Sequence, residues 1–248
     1  MKILQKNKQA LVTGGAQRLG AVIARHLHAA GYDLILHYRN SADAAHALAA
    51  ELQLLRPESV KLVNGDLADQ HSVSKLIEQV SVVASKLTVV VNNASAFYPT
   101  AVGEVEYSDW NQLMDANLRG AFFLTQALAG KLKTGNGCII NIADIYAGSP
   151  LAGHAVYNIA KAGVVMMTRT FARELAPQVR VNAISPGIIL WPENEPAEAL
   201  KQQLLKGSAA GRQGCPGDVA AAVVFLADRA AYITGHTLNV DGGRALYI

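Results

Sequence analysis

Apolar residues along this chain come in short β-branched runs separated by longer stretches with a helical stripe. Seven runs read as strands: Gln9–Thr13, Asp33–Tyr38, Val60–Asn64, Thr88–Asn92, Cys138–Ile142, Val179–Ala183 and Thr237–Val240. Several are almost unbroken in Val, Ile and Leu, the pattern of strands covered on both faces. Helices are predicted between them over Gly20–Ala30, Ala42–Leu55, Gln70–Lys86, Ser108–Leu132, His154–Ala176 and Pro216–Ala227. The stretch from Ala42 has apolar residues at 45, 48, 49 and 52, one face of a helix. Gly31 and Pro177 stand where helices would end. This alternation predicts a single α/β domain over residues 1–248, a doubly wound parallel sheet with helices on both faces. Ligands of such sheets bind beyond the carboxyl ends of the strands. The residues there are Gly14, Arg39, Asp66, Asn93, Asp144 and Pro186. One long irregular stretch, 187–207, breaks the rhythm.

Composition narrows the class. Of 248 residues 51% are hydrophobic, ample for one folded core. Cys138 and Cys215 are too few and too far apart for a disulfide framework, which suits a reducing, cytoplasmic setting. The net charge of +3 carries no Lys/Arg run that would follow a nucleic-acid backbone. The opening MKILQKNKQA lacks the apolar core of a secretory signal, and no stretch is apolar for the length of a membrane span. The histidines and cysteines show no metal-ligand spacing, so no catalytic metal is expected.

The first strand runs through Thr13-Gly14-Gly15-Ala16-Gln17-Arg18-Leu19-Gly20 into a helix. Glycines admit a pyrophosphate close to the backbone, and a helix N-terminus offers free N–H groups to it. Such a turn can also be purely structural. The second strand ends in His37-Tyr38-Arg39-Asn40-Ser41, with no acid to accept the ribose 2′-hydroxyl of NADH. Arg39 and Ser41 suit a 2′-phosphate, which favours NADPH, unless Arg39 is simply a solvated surface residue. Asp66 and Leu67 would meet the adenine; Asn93, Ala94 and Ser95 would line the nicotinamide ribose.

Tyr157 and Lys161 lie four apart and so share one face of a helix. An ammonium beside a phenol favours the phenolate and should bring the tyrosine's pKa down toward working pH. A tyrosine so tuned can protonate an atom that becomes negative as it receives hydride. Asn117, amid a helical pattern, is a further polar candidate, though it could be an ordinary core amide with its own partner.

The glycine turn, Asn117, Tyr157/Lys161, Ser185-Pro186-Gly187 and Asp241-Gly242-Gly243 together resemble the short-chain dehydrogenase/reductase family over the whole chain. That resemblance implies a Rossmann-type sheet, Pro186, Gly187 and Ile188 on the cofactor, and a homotetramer joined through the two longest helices. Two positions depart from the family pattern: Arg18 replaces the middle glycine, and Asp144 replaces the usual serine. With His37-Tyr38-Arg39-Asn40-Ser41 and the run Asn92–Pro99, these resemble the pteridine reductase branch. That branch implies a pterin or folate as substrate, its ring stacked on Phe97. Arg18 would face pyrophosphate and pterin, Ser95 would bond either, and Asp144 would orient Tyr157 and deliver protons. Trp191 would stand in a substrate loop and short helix over 187–207. Asp144 could instead cap a loop, Phe97 could be packed under one, and Trp191 could lie at an interface. Two other functions compete: a reductase of carbonyls such as 3-oxoacyl thioesters, and a non-catalytic NADPH sensor.

Overall fold

The computed structural model describes residues 8–191 and 195–248. The charged residues 1–7 and residues 192–194 of the segment 187–207 lie outside them. Seven parallel strands form one sheet: β1 (Lys8–Val12), β2 (Tyr32–Tyr38), β3 (Val60–Asn64), β4 (Val89–Asn92), β5 (Cys138–Ile142), β6 (Arg180–Pro186) and β7 (Thr237–Val240). Their order across the sheet is β3-β2-β1-β4-β5-β6-β7. The helices are α1 (Arg18–Ala29), α2 (Ala42–Leu55), α3 (Gln70–Val83), α4 (Tyr107–Met114), α5 (Gly120–Gly135), α6 (Ala155–Glu174), α7 (Glu198–Lys206) and α8 (Pro216–Asp228).

Alternate residues of the inner strands feed opposite cores, which is why those strands read as nearly unbroken apolar runs. Val12, Leu36, Val91 and Ile140 pack with α1, α2 and α8 through Ile23, Leu27, Leu48, Leu52, Val219 and Val223. Their neighbours Leu11, Ile35, Val90 and Ile139 pack with α3, α5 and α6 through Leu76, Val80, Leu124, Leu128, Val164 and Phe171. Strand β1 pairs with β2 on one side and β4 on the other. The chain reverses direction of travel there, and a crevice opens beyond the strand ends.

Two elements differ from the sequence pattern, and a third matches the short helix expected after β6. The predicted helix 108–132 is two helices joined by a π-helical turn, Asp115–Arg119. Asn117 causes the break: its Nδ2 donates to Leu113 O (2.9 Å), inserting a side chain into the backbone ladder. Strand β6 runs on through Ser185 and Pro186, which pair with Asn239 and Val240 of β7. Within 187–207 stands a helix, α7. Among the described residues no helix is long and apolar enough to cross a membrane.

Candidate active site

The crevice is a cleft of about 880 Å³ lined by the glycine turn, the ends of β2 to β6, and the start of the segment after β6. The turn is held from behind. A Cβ at Gly20 would lie 2.0 Å from Gly14 O, so only glycine fits where α1 meets the turn. Asn93 Nδ2 donates to Thr13 O (2.9 Å) and Gly14 O (3.1 Å), while Thr13 Oγ1 accepts from the N–H groups of Asn93 and Ala94. Thr13 is thus a buried brace and does not line the cleft. His37 is another. Its Nδ1 accepts the Gly14 N–H (3.2 Å) and its Nε2 donates to Gly65 O (2.9 Å). Burial lowers its pKa, so the ring stays neutral and keeps both bonds.

Arg18 has φ +49°, the left-handed region that favours glycine, which explains the family's usual residue there. Its guanidinium reaches across the cleft, and Nη2 donates to Trp191 O (2.8 Å). The Trp191 ring does not line the cleft as expected; it lies beside Lys201, whose Nζ is 5.7 Å from the ring centroid. Ile188 also turns away, whereas Ile189 and Leu190 line the wall. Arg39, Asn40 and Ser41 line the far end, where Arg39 is about half exposed and Ser41 makes no side-chain cap to α2. An acid does approach here: Asp66 comes from the end of β3 to 3.7 Å from Arg39.

Tyr157 and Lys161 meet Asp144 at the cleft floor. The Tyr157 hydroxyl donates to Asp144 Oδ2 (2.7 Å), and Asp144 Oδ1 accepts the Tyr146 N–H (3.0 Å). Lys161 Nζ donates to Ile142 O (3.0 Å), leaving two of its protons for a ligand such as a ribose diol. Burial pushes Lys161 down to about 8, against the pull of Asp144. Burial raises Asp144 despite the Tyr146 N–H, the Tyr157 hydroxyl and Lys161. Tyr157 is raised, by burial first and then by Asp144. The downward shift expected from Lys161 is therefore corrected: burial first, then Asp144 at 2.7 Å, outweigh an ammonium 5.6 Å from the ring centroid.

Phe97 is half exposed on the cleft wall, stacked on His154 (4.7 Å, 14°) and edge-on to Tyr157 (4.8 Å, 82°). His154 was not foreseen, although its place three residues before Tyr157 puts it on the same helix face. Asn117 does not line the cleft. It is buried, and its Nδ2 also donates to Ala96 O (2.9 Å), next to Phe97, while Oδ1 has no partner. Gly14, Leu19, Gly20, Tyr38, Leu67, Ala94, Ser95, Pro186 and Gly187 all line the cleft as expected. Among the described residues no group of His, Cys, Asp and Glu is placed to hold a metal ion.

The family model described as enoyl-(acyl carrier protein) reductase matches residues 14–245. The chain belongs to the short-chain dehydrogenase/reductase family. Among similar family members is the 3-oxoacyl-(acyl-carrier-protein) reductase of Synechocystis sp., 37% identical over 242 residues, 96% of this chain and 97% of that one. The 3-oxoacyl-(acyl-carrier-protein) reductase of Staphylococcus epidermidis is 36% identical over 241 residues, covering 96% and 98%. Pteridine reductase 1 of Leishmania tarentolae follows, 34% identical over 277 residues and 96% of each chain. The chain is thus a short-chain family oxidoreductase, and its cleft suits a nicotinamide dinucleotide.

These relatives overturn the expected pterin or folate acceptor in favour of a carbonyl compound. Two of the residues that suggested a pterin have other employment in the structure: one face of Phe97 is taken by His154, and the Arg18 guanidinium is engaged by Trp191 O, while Asp144 bonds both Tyr157 and the Tyr146 N–H.

Proposed function

We propose that this protein reduces the keto group of a 3-oxoacyl thioester, with NADPH as reductant. The observation that carries this is the likeness along nearly the whole chain to 3-oxoacyl reductases, at 36–37% identity. The cleft floor supplies compatible chemistry. Arg39 and Ser41 support a 2′-phosphate, with Arg39 also offsetting Asp66. The glycine turn and the start of α1 would hold the pyrophosphate, and Lys161 the nicotinamide ribose.

Reduced nicotinamide, when bound, supplies the hydride that adds to the keto carbon. As the carbonyl π pair moves onto oxygen, the Tyr157 hydroxyl gives that oxygen its proton. Asp144, 2.7 Å away, can return a proton to Tyr157 while it is protonated, and is then reprotonated from solvent. A serine can donate to the carbonyl at any pH, but a carboxyl donates only while protonated. Burial extends the pH range over which Asp144 keeps its proton.

The exposed Phe123 on α5 and Met166 on α6 support burial of these helices against another copy, as in a homotetramer. The decisive assay follows NADPH or NADH absorbance with a 3-oxoacyl thioester such as acetoacetyl-CoA. Turnover with a clear preference for NADPH is expected; Tyr157→Phe should bind NADPH normally and lose turnover. Wild-type protein inert toward the thioester would overturn the reading.

A further inference from the structure

The helix α7 follows the cleft-lining residues Ile189 and Leu190, yet none of its residues is buried. At nine residues it is too short to be stable on its own propensity. Apolar packing within the chain therefore does not explain its placement. A polar attachment does. Arg244, 6% exposed in the turn that follows β7, points its guanidinium at the C-terminal end of α7. Its Nη1 donates to Leu204 O (2.6 Å), which also takes the Gly207 N–H (3.3 Å), and to Gly207 O (3.5 Å), both at the carbonyl end of the helix. Among the described residues no carboxylate lies within ion-pair distance of it, and its Nε has no partner. A buried cation without a counterion is costly, and the negative end of a helix dipole is what offsets it here.

The turn holding Arg244 is itself built onto the cleft. Gly187, a cleft residue, donates to Val240 O (3.0 Å) and passes so close to Asp241 that a Cβ would lie 2.7 Å from Asp241 Cα. The Asp241 carboxylate accepts the Gly243 N–H (2.9 Å) and the Ala245 N–H (2.8 Å), fixing the turn. Ala210 N–H closes the other side on Gly242 O (2.9 Å). At the opposite end of the segment, Lys201 of α7 lies over the Trp191 ring, and Trp191 O receives Arg18. Asp241-Gly242-Gly243-Arg244 is thus a bracket between the cofactor end of β6 and the helix beside the acceptor.

We infer that Arg244 is a positioning residue for the acceptor: by capping α7 it sets where the acceptor wall of the cleft stands. The inference rests on reading the segment after β6 as the acceptor side. Two measurements on the full chain test it, one needing no acceptor. In Arg244→Met, amide hydrogen exchange across 198–208 should quicken about tenfold, with β1 and β4 unchanged; Arg244→Lys, which keeps a cation, should restore most of the protection. With whichever acceptor the wild type reduces, Arg244→Met should raise KM about tenfold while kcat and NADPH affinity hold, and Arg244→Lys should recover the KM. Unchanged exchange in α7 would overturn the inference, as would exchange quickened throughout the molecule. A freed α7 with an unmoved KM would overturn the acceptor role. Failure to reduce a thioester at all would sink the proposed function and leave the exchange result to decide the anchor.

Discussion

Asp144 and Tyr157 share one short hydrogen bond, and which of them holds protons governs the site. Both are held above their ordinary values, chiefly by burial, so each keeps its proton to a higher pH than it would in water. As pH rises through the shifted Asp144 value, the carboxylate can no longer return a proton to the tyrosine. Turnover should therefore fall on the alkaline side in wild type, and Asp144→Ser should abolish that limb while retaining or raising activity on the keto thioester. A pH–rate profile in which Asp144→Ser keeps the same limb would assign it to another group. Lys161 makes the opposite kind of contribution. Its folded value, about 8, lies below the ordinary 10.5, so folding costs stability wherever the unfolded amine would be charged. That cost is absent above the ordinary value, grows as pH falls from there toward the folded value, and is fully present below it. Lys161→Met should accordingly raise the apoprotein Tm at pH 7 by several degrees, and by much less near pH 10.5. Equal shifts at both pH values would show that ionisation is not the cause.

At the scale of elements, the inner strands declared themselves because they are buried on both faces, and Tyr157 and Lys161 because helical spacing aligns them. What the pattern could not disclose depends on partners far along the chain. The π-helical turn exists because Asn117 reaches Ala96 O across the cleft wall, a contact with no trace in the periodicity around 117. Strand β6 lengthens through Pro186 because β7 lies beside it. The carbonyl that Arg18 holds is 173 residues away, and Asp144 meets the Tyr157 hydroxyl only because β5 delivers it there. Asn117→Ala removes the donor to Leu113 O and Ala96 O and should cost about 1–3 kcal/mol. Urea unfolding would show it as a lower midpoint at unchanged slope. Because Ala96 adjoins Phe97, turnover should fall as well; a variant as stable as wild type would mean that water replaces the amide.

At the scale of the molecule, the two cores share one sheet, so the cleft between β1 and β4 sits on a foundation packed from both sides. Function is confined to one rim: the cofactor turn, the tyrosine floor and the segment after β6 all lie beyond the strand ends. The sheet itself has two open margins, β3 and β7. An unpaired strand margin invites pairing with a foreign chain, most of all in a parallel sheet, which assembles slowly through distant segments. Here β7 is only four residues long with Asn239 exposed, and β3 carries an exposed lysine, Lys61, at its second position. Lys61 touches no part of the reaction. Its consequence lies in the crowded, half-folded chain, where a charge on the outer strand keeps nascent copies from adding to one another. Lys61→Val should leave turnover intact yet bring forward the onset of light scattering on heating; an unaltered onset would mean that another segment seeds the aggregate.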